Sequence, residues 1–283
     1  MAKEKVNRAN YEAKKKYGQN FLEDASLLEN IIEISNIDKE TDVIEIGPGL
    51  GFLTGKLIEE SKRVTAFEID KDLIPKLMKK FENNENFKLI NEDFMEVDLL
   101  KYIAENKKIK VVANIPYYIT SPIINKLIDY REDISEIYLM VQKEVAKRIS
   151  SKPNSKDMSI LTHAVQFYAN AEYLFTVPKE KFTPVPKVDS AFLKIEILKN
   201  KEYESQISEK EYFKYLKSAF SNKRKSIGNN LMGLGYTKNM VCDALTKIGK
   251  SKLARTEEFS VQEFIDFIKI LKENNLKILF IVL

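Results

Sequence analysis

The run Val43–Ile46 leads directly into Gly47-Pro48-Gly49-Leu50-Gly51, and a helix-like stretch follows. Glycines at such a strand-to-helix turn let the backbone approach a ligand closely and leave helix N–H groups facing it. Glu68 stands 21 residues past Gly47, at the end of the next β-like run. A carboxylate there can accept both hydroxyls of a ribose. Together these residues point to a cofactor that contains a nucleoside. A dinucleotide fingerprint G-x-G-x-x-G would need glycine at position 52, where the chain has Phe52. Taken alone, the glycines could form no more than a tight turn.

The compressed G-x-G-x-G form, preceded by Glu45, resembles the first motif of S-adenosylmethionine methyltransferases. Asp93 follows a third β-like run, placed to meet an adenine amino group. Asn114-Ile115-Pro116-Tyr117 closes a fourth, and in an open α/β sheet the ligand crevice lies beyond such strand ends. This tetrapeptide resembles the N/D-P-P-Y-type motif of methyltransferases that modify exocyclic amino groups. The residue types suit that chemistry, because an adenine N6 lone pair is delocalised into the ring and attacks poorly. The Asn114 amide oxygen and the Ile115 carbonyl can accept the two N6 hydrogens and turn the lone pair towards an electrophile. Pro116 fixes the turn, and Tyr117 offers a flat face on which a base can stack. An activated methyl donor needs no general base before attack, so the work is alignment.

Alternating elements must hold these residues. Val43–Gly47, Arg63–Ile69, Phe87–Asn91, Lys110–Asn114 and Ile137–Val141 read as strands, with helices such as Phe52–Ser61 and Lys71–Phe81 between the first of them. That alternation predicts an α/β fold with a mostly parallel sheet covered on both faces. Two further strands are expected near Tyr173–Val177 and Ala191–Leu198, joined by a proline-rich loop in a hairpin-like return. Beyond residue 200, Ile207–Phe220, Ser226–Leu234, Lys238–Ile248 and Val261–Asn274 read as helices. The division expected is a basic arm at 1–16, a Rossmann-like methyltransferase domain of seven strands at 17–200, and an all-α domain at 201–283. Ile278–Leu283 extends the last helix or adds a strand.

Over most of its length, from about Lys15 to Phe267, the chain resembles the ribosomal RNA adenine dimethyltransferases of the KsgA type, in their bacterial small-subunit form. Gln19-Asn20-Phe21-Leu22 matches the family's Q-N-F-L element, and Phe182–Ser190 matches its F-x-P-x-P-K-V-D-S element. Phe220–Lys225 and Arg255–Ser260 resemble its F-x-x-R-R-K and R-A-E-E-L-S stretches, with Lys223 where arginine is common. The resemblance implies S-adenosyl-L-methionine as cofactor, held by Asn20, Leu22, Gly47, Gly49, Glu68, Asp93 and Asn114. It implies catalysis at Asn114, Ile115, Pro116 and Tyr117, with Phe182 either closing on the base opposite Tyr117 or anchoring its loop. It implies rRNA contacts at Lys14, Lys15, Lys16, Lys223, Arg224 and Lys225, although a solvated helix face would carry the last three as well. The substrate implied is a pair of adjacent adenosines in the 3′-terminal hairpin loop of 16S rRNA, within an immature 30S subunit. Erythromycin-resistance methyltransferases, which dimethylate 23S rRNA, share the Q-N-F-L and N-I-P-Y elements; a non-catalytic assembly factor is the other alternative.

The composition fits this reading. The 283 residues include 44% apolar residues and 16 Phe, enough for a sizeable core. A single Cys and a single His exclude a disulfide framework and any cysteine- or histidine-rich metal site, so no metal is expected. With no apolar export signal and no run of membrane-spanning length, a cytoplasmic protein without a membrane partner is expected. Nothing points to a protein partner, and a monomer is expected. The net charge of +4 is concentrated: residues 1–16 hold six basic and two acidic side chains, and the remainder balances at 40 against 40. A basic arm on a neutral body suits a polyanion.

Overall fold

The N-terminal segment enters through β1 (Phe21–Leu22) and α1 (Ala25–Ile34), ahead of the first central strand, β2 (Asp42–Ile46). In the computed structural model residues 13–103, 109–199 and 201–282 are described, Lys15 and residues 275–282 by their backbone alone. Lys3, Lys5 and Arg8 of the basic arm, and Leu283, lie outside the described residues. After β2 come α2 (Phe52–Glu60), β3 (Arg63–Phe67), α3 (Ile74–Lys80), β4 (Phe87–Ile90), β5 (Ile109–Asn114), α4 (Thr120–Asp129) and β6 (Ile134–Gln142). The chain continues through α5 (Lys143–Ile149), α6 (Ile160–Gln166), β7 (Ala169–Val177), β8 (Phe182–Thr183) and β9 (Ser190–Ile197). Four further helices close it: α7 (Glu209–Ala219), α8 (Ile227–Leu231), α9 (Lys238–Lys247) and α10 (Val261–Val282).

Seven strands form one sheet in the order β4-β3-β2-β5-β6-β9-β7. The pairs β2–β3, β3–β4, β2–β5 and β5–β6 are parallel. Leu198, just past β9, donates its N–H to the carbonyl of Tyr168, just before β7, so that pair runs antiparallel, as the proline-rich connection suggested. Every residue of β2 is buried, as expected for a central strand covered on both faces. The chain winds outward from β2 to β3 and β4, then crosses back to place β5 on the other side of β2. This reversal opens a crevice beyond the carboxyl ends of β2 and β5, which are Ile46 and Asn114.

The described chain divides into two compact units, interleaved along the sequence. Among the described residues, the first comprises those within 13–123, 132–143 and 175–192, and the second those within 124–131, 144–174 and 193–282. In the first, Asp24 caps α1 by accepting the Leu27 N–H, and Leu28, Ile31 and Ile32 bury one face of that helix. In the second, α7 packs on α8, α8 on α9 and α9 on α10. Ser260 and the Glu263 side chain exchange hydrogen bonds with each other's backbone N–H, the capping box that starts α10. Phe264, Phe267, Ile268 and Leu271 then form its buried stripe. Among the described residues no helix is long and apolar enough to cross a membrane.

One alternative is settled, one pairing is new and one expectation changes. Ile278–Val282 extends α10. The two-residue strands β1 and β8 pair with each other, which was not foreseen: Phe21 lies opposite Thr183 and Leu22 opposite Phe182. Lys223-Arg224-Lys225 lies in the turn between α7 and α8, not on a helix. α7 ends at its cap, Phe220, and Asn222 shapes the turn by accepting the Arg224 N–H on Oδ1 and the Lys225 N–H on its carbonyl.

His163 is fully buried in the second unit, its Nδ1 paired with the Tyr212 hydroxyl at 2.7 Å and its ring against Phe220 and Phe264. Burial pushes the imidazole down to about 4, against about 6.5 in an unfolded chain. As pH falls the unfolded chain therefore takes up this proton first. The stability tied to neutral His163 is complete above pH 6.5 and is lost progressively towards pH 4. Urea unfolding across that window should show a slope from this residue of up to about 1.4 kcal/mol per pH unit. His163→Gln should flatten the slope, and equal slopes in the two proteins would contradict this assignment.

Candidate active site

Gly47, Gly49 and Gly51 all have left-handed backbones, with φ of 68°, 59° and 75°. Their surroundings differ. A Cβ at Gly49 would come within 2.9 Å of the Phe21 ring, and one at Gly51 within 2.8 Å of Phe81. A Cβ at Gly47 would meet nothing within 4 Å. Gly49 and Gly51 therefore pack the turn against its neighbours, while Gly47 presents bare backbone to open space. Lys80, the last residue of α3, braces the loop from outside by donating to the carbonyls of Leu50 and Gly51 at 3.0 and 2.9 Å. Burial pulls its ammonium below the usual lysine range.

The open space is a cavity of about 220 Å³ lined by the ends of β2, β3 and β5 and by the segment Tyr17–Leu22. Two buried carboxylates face it. Glu68 Oε2 accepts the Gly49 N–H at 3.2 Å, and Oε1 accepts the Asp70 N–H at 2.8 Å. One backbone donor on each oxygen leaves acceptor capacity for a diol. Burial raises the Glu68 carboxyl despite those bonds. Glu45 is 1% exposed, and its Oε2 has no hydrogen-bond partner among the described residues. Burial, reinforced by the Glu68 charge, pushes its carboxyl up to about 8. Asp93, exposed at the rim, gives Oδ1 to the Met95 N–H at 2.9 Å.

Asn114 ends β5 and donates its amide nitrogen to the Asn20 carbonyl at 2.8 Å. A carbonyl only accepts, so this contact orients the amide and turns Oδ1 away as a free-standing acceptor. Ile115, Pro116 and Tyr117 follow along the cavity wall. The half-buried Tyr117 is tethered by its hydroxyl to Ser190 Oγ at 2.5 Å. Ser190 is itself fixed by the preceding Asp189, which accepts from the Lys179 N–H and the Lys143 ammonium, both at 3.3 Å. Those bonds hold the Asp189 carboxyl below the usual range. The P-K-V-D-S stretch thus sets the plane of the aromatic ring beside the amide.

The structure brings Asn20, Leu22, Gly47, Gly49, Glu68, Asp93 and Asn114 to one cavity, with Ile115, Pro116 and Tyr117. It does not bring Phe182 there. That ring is 1% exposed, pairs through β8 with Leu22, and is a loop anchor in this conformation. Lys14 also departs from expectation: its ammonium pairs with Asp70 and Asp72 at 2.6 and 2.5 Å, which raises its pKa. Gln19 joins them, accepting the Lys14 N–H and donating to Asp70. Lys16 is exposed, 4.5 Å from the Tyr17 ring centre. Lys223 donates to the Met158 carbonyl, while Arg224 and Lys225 are exposed. Sequence reading missed Lys80, the Ser190 hydroxyl and the Asn20 carbonyl. Ser190 and Asn20 had a signal, their places in matched motifs, whereas Lys80 had none.

The ribosomal RNA adenine dimethylase family matches residues 10–273. The chain belongs to this family. Among similar adenine dimethylases, a ribosomal RNA small subunit methyltransferase A of Fusobacterium nucleatum is 53% identical over 92% of this chain and 98% of its own. One of the same name from Streptococcus sanguinis is 42% identical over 96% of each chain. A dimethyladenosine transferase from Plasmodium falciparum superposes with TM-score 0.75 at 25% identity, over 90% of this chain and 98% of its own. The 23S rRNA methyltransferase ErmE gives 0.71 at 25%, over 89% and 100%. The Rossmann-like reading of the sheet agrees with both structures.

The two glycines should separate in experiment. Gly47→Ala should cost roughly 1–2 kcal/mol of stability, the left-handed backbone strain alone, yet abolish detectable binding in calorimetric titration with S-adenosylmethionine. Gly49→Ala should unfold at clearly lower urea, because its Cβ meets the Phe21 ring. Equal losses of stability would refute the distinction.

Proposed function

We propose that this protein transfers methyl groups from S-adenosyl-L-methionine to N6 of two adjacent adenosines in the 3′-terminal hairpin loop of 16S rRNA, within an immature 30S subunit. The observation that carries the reading is the Asn114 amide, oriented by the Asn20 carbonyl at the mouth of a nucleoside-sized cavity. The unfilled space at Gly47 and the unpartnered Glu45 Oε2 suit a ligand that brings close backbone contact and positive charge. S-adenosylmethionine, when bound, supplies a methyl group on a sulfonium that needs no further activation. Glu68 would hold the ribose hydroxyls and Asp93 the adenine amino group. Asn20, Leu22, Gly47 and Gly49 would complete the cofactor contacts.

The chain's own part is alignment. Asn114 Oδ1 and the Ile115 carbonyl accept the N6 hydrogens of the target adenine and aim its lone pair. Tyr117, its plane fixed by Ser190, stacks on the base; such stacking is worth about 1–3 kcal/mol, comparable with the cost of extruding a nucleotide. After the first transfer one N6 hydrogen remains, so a single acceptor serves the second. Lys16, Arg224 and Lys225 are exposed and would meet phosphates, and Lys3, Lys5 and Arg8 would add positive charge. The names of the relatives support the small subunit as substrate, and the P-K-V-D-S stretch favours it over 23S rRNA.

Labelled methyl transfer to subunits from a strain lacking the protein, mapped by mass spectrometry, tests this reading. Label at adjacent adenosines of 16S rRNA is expected, and label confined to 23S rRNA would install the resistance-enzyme reading. Asn114→Ala should lower the rate at least about 10²-fold, the scale of losing one oriented catalytic group, with an unchanged unfolding midpoint. Undiminished turnover would reject the role of the amide. Deleting residues 1–13 should flatten the fall of RNA affinity with salt. An unchanged slope would show that the arm does not grip phosphates.

A further inference from the structure

Tyr118 follows Asn114–Tyr117 directly, yet it is 62% exposed. Tyr117 and Tyr118 share one 3-10 turn, Tyr117–Ile119, in which successive side chains diverge by about 120°. The first hydroxyl is tied to Ser190, so the second ring emerges at the cavity rim. It does not hang loose there. A Cβ at Gly18 would lie 3.1 and 3.2 Å from Cδ1 and Cε1 of the ring and 3.5 Å from Pro116 Cβ. Gly18, with φ of 60°, thus lets the ring lie close against the backbone. Tyr17 lines the same cavity, and the Lys16 ammonium sits 4.5 Å from its ring centre. The Asp93 carboxylate is near enough to act with partial burial in raising the Tyr118 phenol.

A large ring held against a backbone floor but left in water is arranged to receive a flat partner. On the adenine-methylating reading the target base alone of the RNA strand enters beside the cofactor, and its neighbour is left at the rim. We propose that Tyr118 is the stacking platform for the nucleobase adjacent to the target adenine, with Lys16 beside Tyr17 meeting the intervening backbone phosphate. The inference rests on the adenine-methylating reading of the site. It gives the unstacked neighbour a partner worth having, because base–aromatic stacking tolerates any sequence and offsets the loss of stacking within the loop. It also gives the second of two adjacent adenines a resting place while the first is modified. The competing occupant of the ring face is the cofactor's own adenine.

The test compares wild type, Tyr118→Leu, which keeps apolar bulk over Gly18, and Tyr118→Phe, which keeps the ring. Steady-state transfer to 30S subunits should show KM for RNA raised about 5- to 150-fold in the Leu variant. Its kcat should change far less, its affinity for S-adenosylmethionine should be unchanged, and Phe should restore the wild-type KM. A hairpin RNA with 2-aminopurine next to the target adenine should be quenched by wild type and Phe but not by Leu. A Leu variant with weakened S-adenosylmethionine binding and normal KM for RNA would overturn the proposal and assign the ring to the cofactor. Equal quenching by all three proteins would also overturn it. If wild type methylates no adenine RNA, the functional reading fails separately, since quenching still reports on the platform.

Discussion

The hydrogen bond from the Asn114 amide to the Asn20 carbonyl is the contact on which the site depends. An amide has a donor end and an acceptor end, and only the acceptor can hold an amine hydrogen. Without a fixed partner the group would rotate between two useless averages. Asn20 belongs to a segment with almost no regular structure, tethered by Gln19 and Lys14 to Asp70 and by β1 to β8. Everything that holds that segment therefore also orients the reactive end of β5. On the proposed reading the backbone φ of Gly18 and the short β1 pairing support the chemistry, although neither belongs to the reacting atoms.

The cavity keeps two carboxylates away from water, and their raised pKa values show how unfavourable that is. Glu68 offsets part of the cost with backbone donors from Gly49 and Asp70. Glu45 has the Thr54 hydroxyl and the more distant charge of Lys80 in its favour, against burial and the repulsion of Glu68. Lys80 is itself partly desolvated because its ammonium holds the Leu50 and Gly51 carbonyls. Such an arrangement is poised for a cationic ligand: positive charge entering the cavity lowers the energy of both acids at once. A site built from neutral acceptors would be more stable empty and would discriminate less between a charged cofactor and its neutral product.

Much of the fold was legible because its signals are local. β2 is buried along its whole length, its Val43, Ile44 and Ile46 read as a strand despite Asp42 and Glu45, and the glycines follow it immediately. Order along the chain then places Glu68 and Asn114 at the ends of β3 and β5, the two strands that flank β2. What was illegible depends on long-range pairing. Lys14 reads as one cation in a basic run, and only the fold sets it between Asp70 and Asp72, 56 and 58 residues away. Phe182 reads equally as clamp or anchor, and the two-residue pairing with β1 decides for anchor in this conformation. Lys223–Lys225 was expected on a helix face, but Asn222 closes a turn there.

Dimethylation places opposed demands on such a site, and the geometry suggests how they are met. A clamp that required both N6 hydrogens would stop after one methyl, whereas one that required neither would lose its aim. The two acceptors here differ in kind. Asn114 Oδ1 belongs to a side chain locked by the N-terminal segment, while the Ile115 carbonyl is part of a backbone turn held by Pro116. Rotating the monomethyl amine places its remaining hydrogen on one acceptor and its methyl near the other. Tyr117 cannot yield to that methyl by swinging away, because its hydroxyl is tied to Ser190. On the proposed reading the room comes from a small slide of the base across the ring face, which stacking permits at little cost while one acceptor keeps the remaining hydrogen.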